Sequence, residues 1–403
     1  MEIKDKITDE RNRIKEASYL KIQDYDQMPP FFMSLVSRDN LWAFISSRGS
    51  LSAGRESAEK SIFPYVTVDK IHDNYGTTGP RTMIRLEGNQ LWEPFTPHTL
   101  KEPSLERTLS KGTLGNTICF EEKRAHDGLT FSYRWQPAGR FGLARTACLE
   151  NNGNQAVQLN ILDGVANILP PGLDSRLQAT SSVLTDAYKQ SEVQPHSRMA
   201  LYSTASGITD RPEPMENLRA NCVWSAGLPE AKVTLATDAP DTMVQATTTN
   251  QCDLNCGQRG AYWLQGEITL EPGESKEWLI LLDCDLDAAE ISQRIKELDT
   301  ENGTELVAAA INSNDADLTD LLASADAFQC GNDPMTQIHH TANVLFNSMR
   351  GGVFINGYEI KGEHLQAHIK NANHNLYESH EANLFVLNGW LDYRECRSRI
   401  EAL

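Results

Sequence analysis

An alternation of apolar and polar residues recurs through residues 41–284 and restricts the possible folds of this chain more than any other feature. It is clearest in a stretch whose apolar members are Leu129, Phe131, Tyr133 and Trp135. Successive side chains of a strand point to opposite sides of a sheet, so this period indicates strands with one buried face. Strands that are not separated by crossover helices pair antiparallel and must stack to bury those faces. The pattern therefore predicts a large two-sheet sandwich.

The spacing of apolar residues changes to that of helices at Asp285. A helix that begins at Pro334 is the clearest, because Asp333 can cap its N-terminus and proline suits its first position. Gly351 and Gly352 are suited to end this helix. The other segments with helical spacing are Ile291–Leu298, Leu318–Phe328, 361–378 and, more weakly, 391–403.

These patterns predict a chain that is mainly β with helices at its C-terminal end. The segment Trp278–Leu282 is apolar on both faces, which is typical of a central strand. Pro29 and Pro30 exclude a regular helix or a central strand near the start of the chain. The predicted regions are an N-terminal arm at 1–40, a β domain at 41–284 and a helical region at 285–403.

The charge balance excludes several classes of partner. A formal net charge of −18 argues against nucleic acid, whose phosphates require clustered Lys and Arg, and against an anionic membrane surface. We find neither the apolar core of a secretion signal nor an apolar run long enough for a membrane span. The 8 cysteines are scattered, which is typical of reduced thiols in a reducing compartment. We therefore expect a cytoplasmic protein that acts on small molecules.

The stretch from Leu41 to Leu86 contains the densest group of charged and aromatic side chains. Its first part, Leu41–Ile45, suggests a strand, the chain returns as a strand near Thr82, and the residues between them suggest a long polar loop. Loops of this composition are suited to bind a polar ligand, although an ordinary solvated hairpin loop has a similar composition. The candidate binding residues are Arg48, Arg55, Tyr65, Asp69, Lys70, His72 and Asp73.

Signals for metal or cofactor binding are weak, and we predict neither. Cys252 and Cys256 could form half of a zinc site, but no second pair at ligand spacing accompanies them. His364 and His368 stand one helical turn apart without an evident third ligand. The acidic run Asp283–Asp287 is explained by capping of the helix that follows it. Phosphate-binding glycine loops and a G-x-S-x-G elbow are absent from the sequence.

Six stretches of the chain, taken in order, carry a resemblance to a known family. They are Ile45–Asp73, Phe141–Asn151, Val157–Gly172, Leu201–Pro214, Leu270–Glu274 and His339–Ile360. They resemble the N-terminal region of a bacterial branch of proteins similar to cellobiose phosphorylase and related inverting glycoside phosphorylases, and the resemblance covers nearly all of residues 30–380.

The resemblance implies a galactose-mutarotase-like β-supersandwich, then linker helices, then an (α/α)6 barrel that carries the catalytic acid. Residues 287–403 have room for about four or five helices, whereas that barrel needs six helix pairs. The expected chain is therefore the supersandwich, an α-helical linker and the start of an incomplete barrel. No residue matches the catalytic acid motif of the family, so no catalytic residue is assigned.

The function that the resemblance implies is a non-catalytic, carbohydrate-associated region of a glycoside phosphorylase or hydrolase that acts on oligosaccharides. Expected partners are an oligosaccharide, inorganic phosphate, and a second copy or a helical barrel domain. Arg48, Arg55 and Lys70 would contact phosphate or sugar hydroxyls. Tyr65 would stack on a pyranose ring. Asp69, His72 and Asp73 would form hydrogen bonds to the ligand.

Two alternatives remain open from the sequence. One is a free-standing carbohydrate-binding or scaffold module that binds oligosaccharide by aromatic stacking and catalyses nothing. The other is a mutarotase-like sugar epimerase on the same sandwich, which needs a histidine and a carboxylate on facing strands. Its candidate histidines are His98, His126 and His196, and no motif links any of them to a carboxylate.

Overall fold

A computed structural model of the chain gives the architecture. The structure describes residues 19–37, 39–96, 105–208, 212, 217–247, 250–324, 327, 333–350, 359–384 and 389–402. The chain divides into two compact units, residues 1–342 and 343–403.

The first unit consists mainly of antiparallel strands. In chain order they are β1 (Tyr19–Gln23), β2 (Phe32–Leu35), β3 (Leu41–Ser46), β4 (Leu51–Arg55), β5 (Ser61–Phe63), β6 (Gly79–Arg85), β7 (Leu91–Trp92), β8 (Leu105–Gly112), β9 (Ile118–Arg124), β10 (Leu129–Pro137), β11 (Leu143–Asn151), β12 (Val157–Ile168), β13 (Lys189–Val193), β14 (Ala200–Thr204), β15 (Ala220–Ala226), β16 (Lys232–Thr234), β17 (Leu254–Cys256), β18 (Gly260–Leu270) and β19 (Ser275–Leu286).

Helices are short among the strands and longer after them. They are α1 (Val68–Asp73), α2 (Ser175–Thr180), α3 (Ser182–Tyr188), α4 (Ala239–Gln245), α5 (Ala288–Leu298), α6 (Gly303–Ser324) and α7 (Pro334–Arg350). The predicted fold class, mainly β with helices at the C-terminal end, is confirmed. The two glycines expected to end α7, Gly351 and Gly352, lie outside the described residues.

The described strands of this unit form three sheets. A ten-stranded sheet has the order β1-β8-β9-β10-β11-β19-β15-β14-β13-β17, a five-stranded sheet has the order β16-β18-β12-β6-β7, and a four-stranded sheet has the order β2-β3-β4-β5. One continuous core contains side chains from all three, including Ile45, Phe131, Trp135, Ile161 and Ile280. The second layer of the predicted sandwich is thus split into two sheets.

The opposite face of the ten-stranded sheet is covered by α5 and α6. Leu298 and Val307 of these helices share a buried cluster with Trp224 and Leu281 of the sheet. The indole N–H of Trp224 donates to the Asp299 carboxylate at 2.8 Å. Strand β19 is therefore buried on both faces between β11 and β15, and its predicted central position is confirmed.

The prediction of a long polar loop between Leu41 and Leu86 was wrong. The region contains β4, β5 and α1, and Leu51, Ala53 and Phe63 are buried in the core. The sequence suggested a loop because these strands are short and rich in serine. In the folded chain, the hydroxyls of Ser50 and Ser52 donate to the main-chain carbonyl groups of Ile71 and Pro64.

Two strands lie within residues 1–40, the predicted arm. Strand β1 pairs with β8 at the edge of the ten-stranded sheet, and β2 pairs with β3. Pro29 and Pro30 stand between β1 and β2, outside any strand or helix. The predicted domain boundaries at residues 40 and 284 stay predictions.

The second unit contains strands β20 (Glu359–Lys361) and β21 (Trp390–Asp392) and helices α8 (Gly362–Ala372), α9 (His374–Leu384) and α10 (Tyr393–Glu401). The single helix predicted at 361–378 was wrong, because the chain leaves helical geometry at Asn373 and a new helix follows. The Asn373 side chain accepts from the backbone N–H of Leu376 at 3.0 Å. None of the described helices of the chain is long and apolar enough to cross a membrane.

Candidate functional site

The segment that contains the predicted binding residues is fixed by three buried serines. The hydroxyl of Ser50 donates to the carbonyl oxygen of Ile71, and the hydroxyl of Ser52 donates to that of Pro64. Ser46 forms a hydrogen bond with the ring of His72. These contacts hold α1 and the residues before it against the four-stranded sheet.

Arg55 connects the four-stranded sheet to the ten-stranded sheet by an ion pair. Its Nε lies 2.7 Å from Oδ1 of the buried Asp283. Its two terminal nitrogens donate to the carbonyl oxygens of Asp39 at 2.9 Å and Gly139 at 2.8 Å. Arg294 of α5 lies 3.6 Å from the same carboxylate. Burial raises the pKa of Asp283, and the Arg55 guanidinium opposes that rise. The donors of Arg55 are thus engaged by groups of this chain.

Arg48 and His72 come together at one end of the four-stranded sheet. The Ser46 hydroxyl lies 2.8 Å from Nδ1 of His72 and accepts from the backbone N–H of Arg48 at 3.0 Å. Because Ser46 is fully buried, this serine–histidine pair cannot receive a substrate and does not form a nucleophilic site. The side chain of Arg48 is exposed and donates no hydrogen bond among the described residues.

The other predicted residues lie on or just before α1. Tyr65 is 54% exposed, and its ring packs edge-on to the ring of Trp42 with 5.4 Å between centroids. Asp69, Lys70 and Asp73 are exposed on α1. A hydrogen bond from the Thr67 side chain lowers the pKa of Asp69. All four of these side chains are exposed to solvent.

A cavity of about 170 Å³ adjoins Arg48. It is lined by Tyr25, Asp26, Met28, Pro30, Ser47, Arg48, Phe95 and Arg107. A smaller cavity of about 20 Å³ also adjoins Arg48, together with Tyr75, Arg81 and Glu93. Burial raises the pKa of the Tyr75 phenol to about 12, so this hydroxyl remains a neutral hydrogen-bond donor at physiological pH. We refer to the 170 Å³ space as the Arg48 cavity.

A buried carboxylate positions the wall of the Arg48 cavity. Glu122 accepts from Nε of Arg107 at 2.8 Å, from the indole N–H of Trp92 at 2.7 Å and from the backbone N–H of Phe95 at 2.7 Å. Nη2 of Arg107 donates to the carbonyl oxygen of Thr96 at 3.1 Å. Glu122 therefore fixes both the cation and the aromatic ring that line the cavity.

Sequence reasoning missed Phe95, Arg107 and Glu122 as contributors to this site. Phe95 and Arg107 are distant in sequence from Arg48, and only the tertiary fold brings them together. A signal for Glu122 did exist, because it follows Ile118 and Phe120 at an inward position of β9. A carboxylate in an inward series of apolar residues indicates a buried polar network.

The capping, metal-binding and epimerase candidates from the sequence lie partly within the residues that the structure describes. Of the acidic run predicted to cap α5, Asp287 does so by accepting from the backbone N–H groups of Ala289 and Glu290, both at 2.9 Å. Asp283 of the same run lies in β19 and pairs with Arg55 instead. Asp333 caps α7. No group of three His, Cys, Asp or Glu side chains in the described part of the chain could hold a metal ion. The epimerase candidate His98 lies outside the described residues.

The protonation of His72 should depend on Arg48. Burial, and next to it the positive charge of Arg48, lowers the pKa of His72 below its usual 6.5. Protonation of His72 therefore destabilises the folded state. The contribution of neutral His72 to the free energy of unfolding is present above pH 6.5 and is lost as the pH falls through the lowered pKa of the folded state. We expect Arg48→Met to raise the pKa of His72 in an NMR titration of the ring protons. A pKa that stays the same in the variant would contradict this placement of Arg48.

No family model and no curated protein matches this chain. Among solved structures, it is similar to a protein from Escherichia coli described as a putative aldose 1-epimerase, at 10% identity over 64% of this chain and 99% of that one, with a TM-score of 0.33. It is also similar to a bacterial glucoamylase in complex with acarbose, at 9% identity over 82% of this chain and 44% of that one, with a TM-score of 0.40.

A third similar structure is a putative kojibiose phosphorylase from the human microbiome. The identity is 9%, the alignment covers 82% of this chain and 31% of that one, and the TM-score is 0.29. The chain thus spans less than half the length of both the glucoamylase and the phosphorylase.

Proposed function

We propose that this chain is the supersandwich and linker region of a cytoplasmic, glycoside phosphorylase- or hydrolase-like protein that acts on oligosaccharides. The reaction chemistry would belong to a helical barrel outside this chain, and this chain would bind and orient the ligand. The proposal is supported by the order of the architecture, in which an antiparallel sandwich precedes the helices, and by the sequence stretches that resemble such proteins.

The Arg48 cavity is the single observation that carries the proposed ligand contact. It combines an exposed guanidinium with an aromatic ring and a second guanidinium held rigidly by Glu122. Charged donors form the stronger hydrogen bonds to phosphate oxygens, and they also bond hydroxyl oxygens. A cavity of about 170 Å³ is smaller than a pocket for a drug-sized ligand, so it suits inorganic phosphate or one sugar unit of a longer ligand.

The test is binding of cellobiose, maltose and inorganic phosphate to the full chain, measured by ligand-observed NMR and calorimetry. We expect Arg48→Met to weaken binding at least tenfold, because a hydrogen bond to a charged group contributes about 1.5–3 kcal/mol. Arg134→Met is the matched control, since Arg134 is half exposed on the outer face of the ten-stranded sheet and pairs with Glu277 at 3.2 Å. Equal loss in both variants, or no binding of any probe to the wild type, would refute the proposed contact.

A further inference from the structure

The outer face of the four-stranded sheet carries a row of aromatic rings. Strand β3 places Leu41, Ala43 and Ile45 in the core, so Trp42 and Phe44 point to the opposite side. Phe32 of the neighbouring β2 and Tyr65 beyond β5 extend this set in both directions. We call these four residues the aromatic row: Phe32, Phe44, Trp42 and Tyr65.

The rings of the aromatic row form a continuous series. The centroid separations are 6.4 Å between Phe32 and Phe44, 5.9 Å between Phe44 and Trp42, and 5.4 Å between Trp42 and Tyr65. The central pair, Trp42 and Phe44, is inclined by only 32°. The two outer pairs meet edge to face, at 70° and 85°. The two central rings are therefore closer to parallel with each other than either is to its outer neighbour.

The sheet is shaped to accommodate the central indole. Trp42 stands opposite Gly54 on β4, and a Cβ atom at that glycine would lie 2.6 Å from Cζ2 of Trp42. Phe44 stands between Ser34 on β2 and Ser52 on β4, which are also small. These small neighbours leave room for the indole of Trp42 and the ring of Phe44 on this face.

The row remains open to solvent at both ends. Phe32 is 48% exposed and Tyr65 is 54% exposed, while Trp42 and Phe44 are partly exposed. Contiguous exposed aromatic surface on a sheet is costly and marks a binding surface more often than scattered apolar residues do. The ring faces carry negative charge density, which attracts the weakly positive C–H groups of a ligand.

We propose that the aromatic row binds a neutral oligosaccharide or polysaccharide chain by stacking of pyranose faces on its rings. A pyranose presents C–H groups on its face and hydroxyls at its edge, so it needs both rings and polar neighbours. Asp69 and Lys70 of α1 are exposed, carry opposite charges and follow Tyr65 closely in the chain, and the proposal assigns them this polar role. This inference rests on the proposed function for the class of ligand and assigns it a surface distinct from the Arg48 cavity.

The charge of the chain favours a neutral glycan over the other occupants. Because each chain carries a formal net charge of −18, two copies repel one another, and an anionic polymer is repelled as well. Trp and Tyr are also frequent at the centres of protein–protein interfaces, so self-association through the row is the main competing outcome. The experiment is designed to separate the two.

The test is native affinity electrophoresis of the full chain in gels that contain soluble neutral β-glucan or amylose, with polygalacturonate as the anionic control. We expect retardation of the wild type by a neutral polymer and not by polygalacturonate. Tyr65→Phe, which keeps the ring, should retain binding. Tyr65→Ala and Phe32→Leu should each weaken it about tenfold, equivalent to about 1.4 kcal/mol. Both residues are about half exposed, so these variants should fold.

Two results would overturn the inference. One is the absence of retardation of the wild type by either neutral polymer. The other is a concentration-dependent dimer, detected by sedimentation velocity, that Tyr65→Ala abolishes. Arg48→Met separates this inference from the proposed function, because it should weaken disaccharide binding without changing retardation. If Arg48→Met weakens disaccharide binding while the wild type is not retarded, the inference fails and the proposed function stands.

Discussion

Replacement of Arg145 by methionine is expected to lower the free energy of unfolding of the sandwich by about 3–5 kcal/mol. Arg145 on β11 is fully buried and lies 2.7 Å from Oδ2 of Asp163, which is also fully buried on β12 of the facing sheet. The indole N–H of Trp278 donates to the same oxygen at 2.6 Å. Loss of the guanidinium would leave a buried carboxylate without its countercharge, and this is where the large cost arises.

The measurement is chemical denaturation followed by tryptophan fluorescence. It reports on the sandwich, because six of the seven tryptophans, Trp42, Trp92, Trp135, Trp224, Trp263 and Trp278, belong to the first unit. Arg134→Met on the neighbouring strand is the control and should cost less than about 1 kcal/mol, because its ion pair is half exposed. Equal effects of the two variants would contradict the prediction.

A double variant identifies the source of that cost. Arg145→Met combined with Asp163→Leu replaces the whole ion pair by apolar groups of similar size. Such replacements are often close to neutral, because they remove the desolvation cost of both charges. We expect the double variant to recover a large part of the stability lost in Arg145→Met. A double variant less stable than the single one would mean that hydrogen bonds from Thr82 and Trp278 to Asp163 dominate instead.

The second large loss of stability is expected for Glu122→Ala, which should also lower the free energy of unfolding by about 3–5 kcal/mol. This substitution removes the acceptor for Arg107, Trp92 and the backbone N–H of Phe95 and leaves these buried donors without it. Glu121→Ala is the matched control, because the adjacent side chain points outward and pairs with Lys123 at 3.1 Å in an exposed position. Because side chains alternate between the two faces of β9, we expect a large loss of stability for Glu122→Ala and little for Glu121→Ala.

Glu122→Ala should also affect the Arg48 cavity. Since Glu122 holds Arg107 and Phe95 in the cavity wall, ligand binding should weaken even at temperatures where the variant is fully folded. Denaturation midpoints and the phosphate and disaccharide titrations described above measure the two effects separately. A destabilised variant with unchanged affinity for these ligands would show that the cavity wall does not contact them.

Strand β10 could be predicted from its alternation of apolar and polar residues, because a strand turns every second side chain to the same face. The central strand β19 could be predicted from its run of apolar residues. The caps at Asp287 and Asp333 could be predicted for a similar reason, since the groups they satisfy are two or three residues away. The candidate residues Asp69, Lys70, His72 and Asp73 lie on α1, which the sequence suggested was a loop, and their role in binding stays a prediction.

Interactions between distant parts of the chain could not be predicted in this way. Arg55 looked like a ligand-binding residue, yet its partner Asp283 is 228 positions away in the sequence. Ser50 and Ser52 looked like loop residues, because the carbonyl groups that accept their hydrogen bonds are 21 and 12 positions away. Buried polar groups need partners, and nothing local indicates which distant group provides them.

The sequence by itself determined the class of the fold, the faces of its strands and the transition to helices after Asp285, because each depends on residues that are neighbours in the chain. The tertiary structure decided which strands are adjacent, that the second layer is split into two sheets, and that Phe95 and Arg107 meet Arg48 around one cavity. It also decided that the aromatic row remains exposed. Burial and charge pairing are properties of the packed molecule, and the order of residues specifies them only through the complete fold.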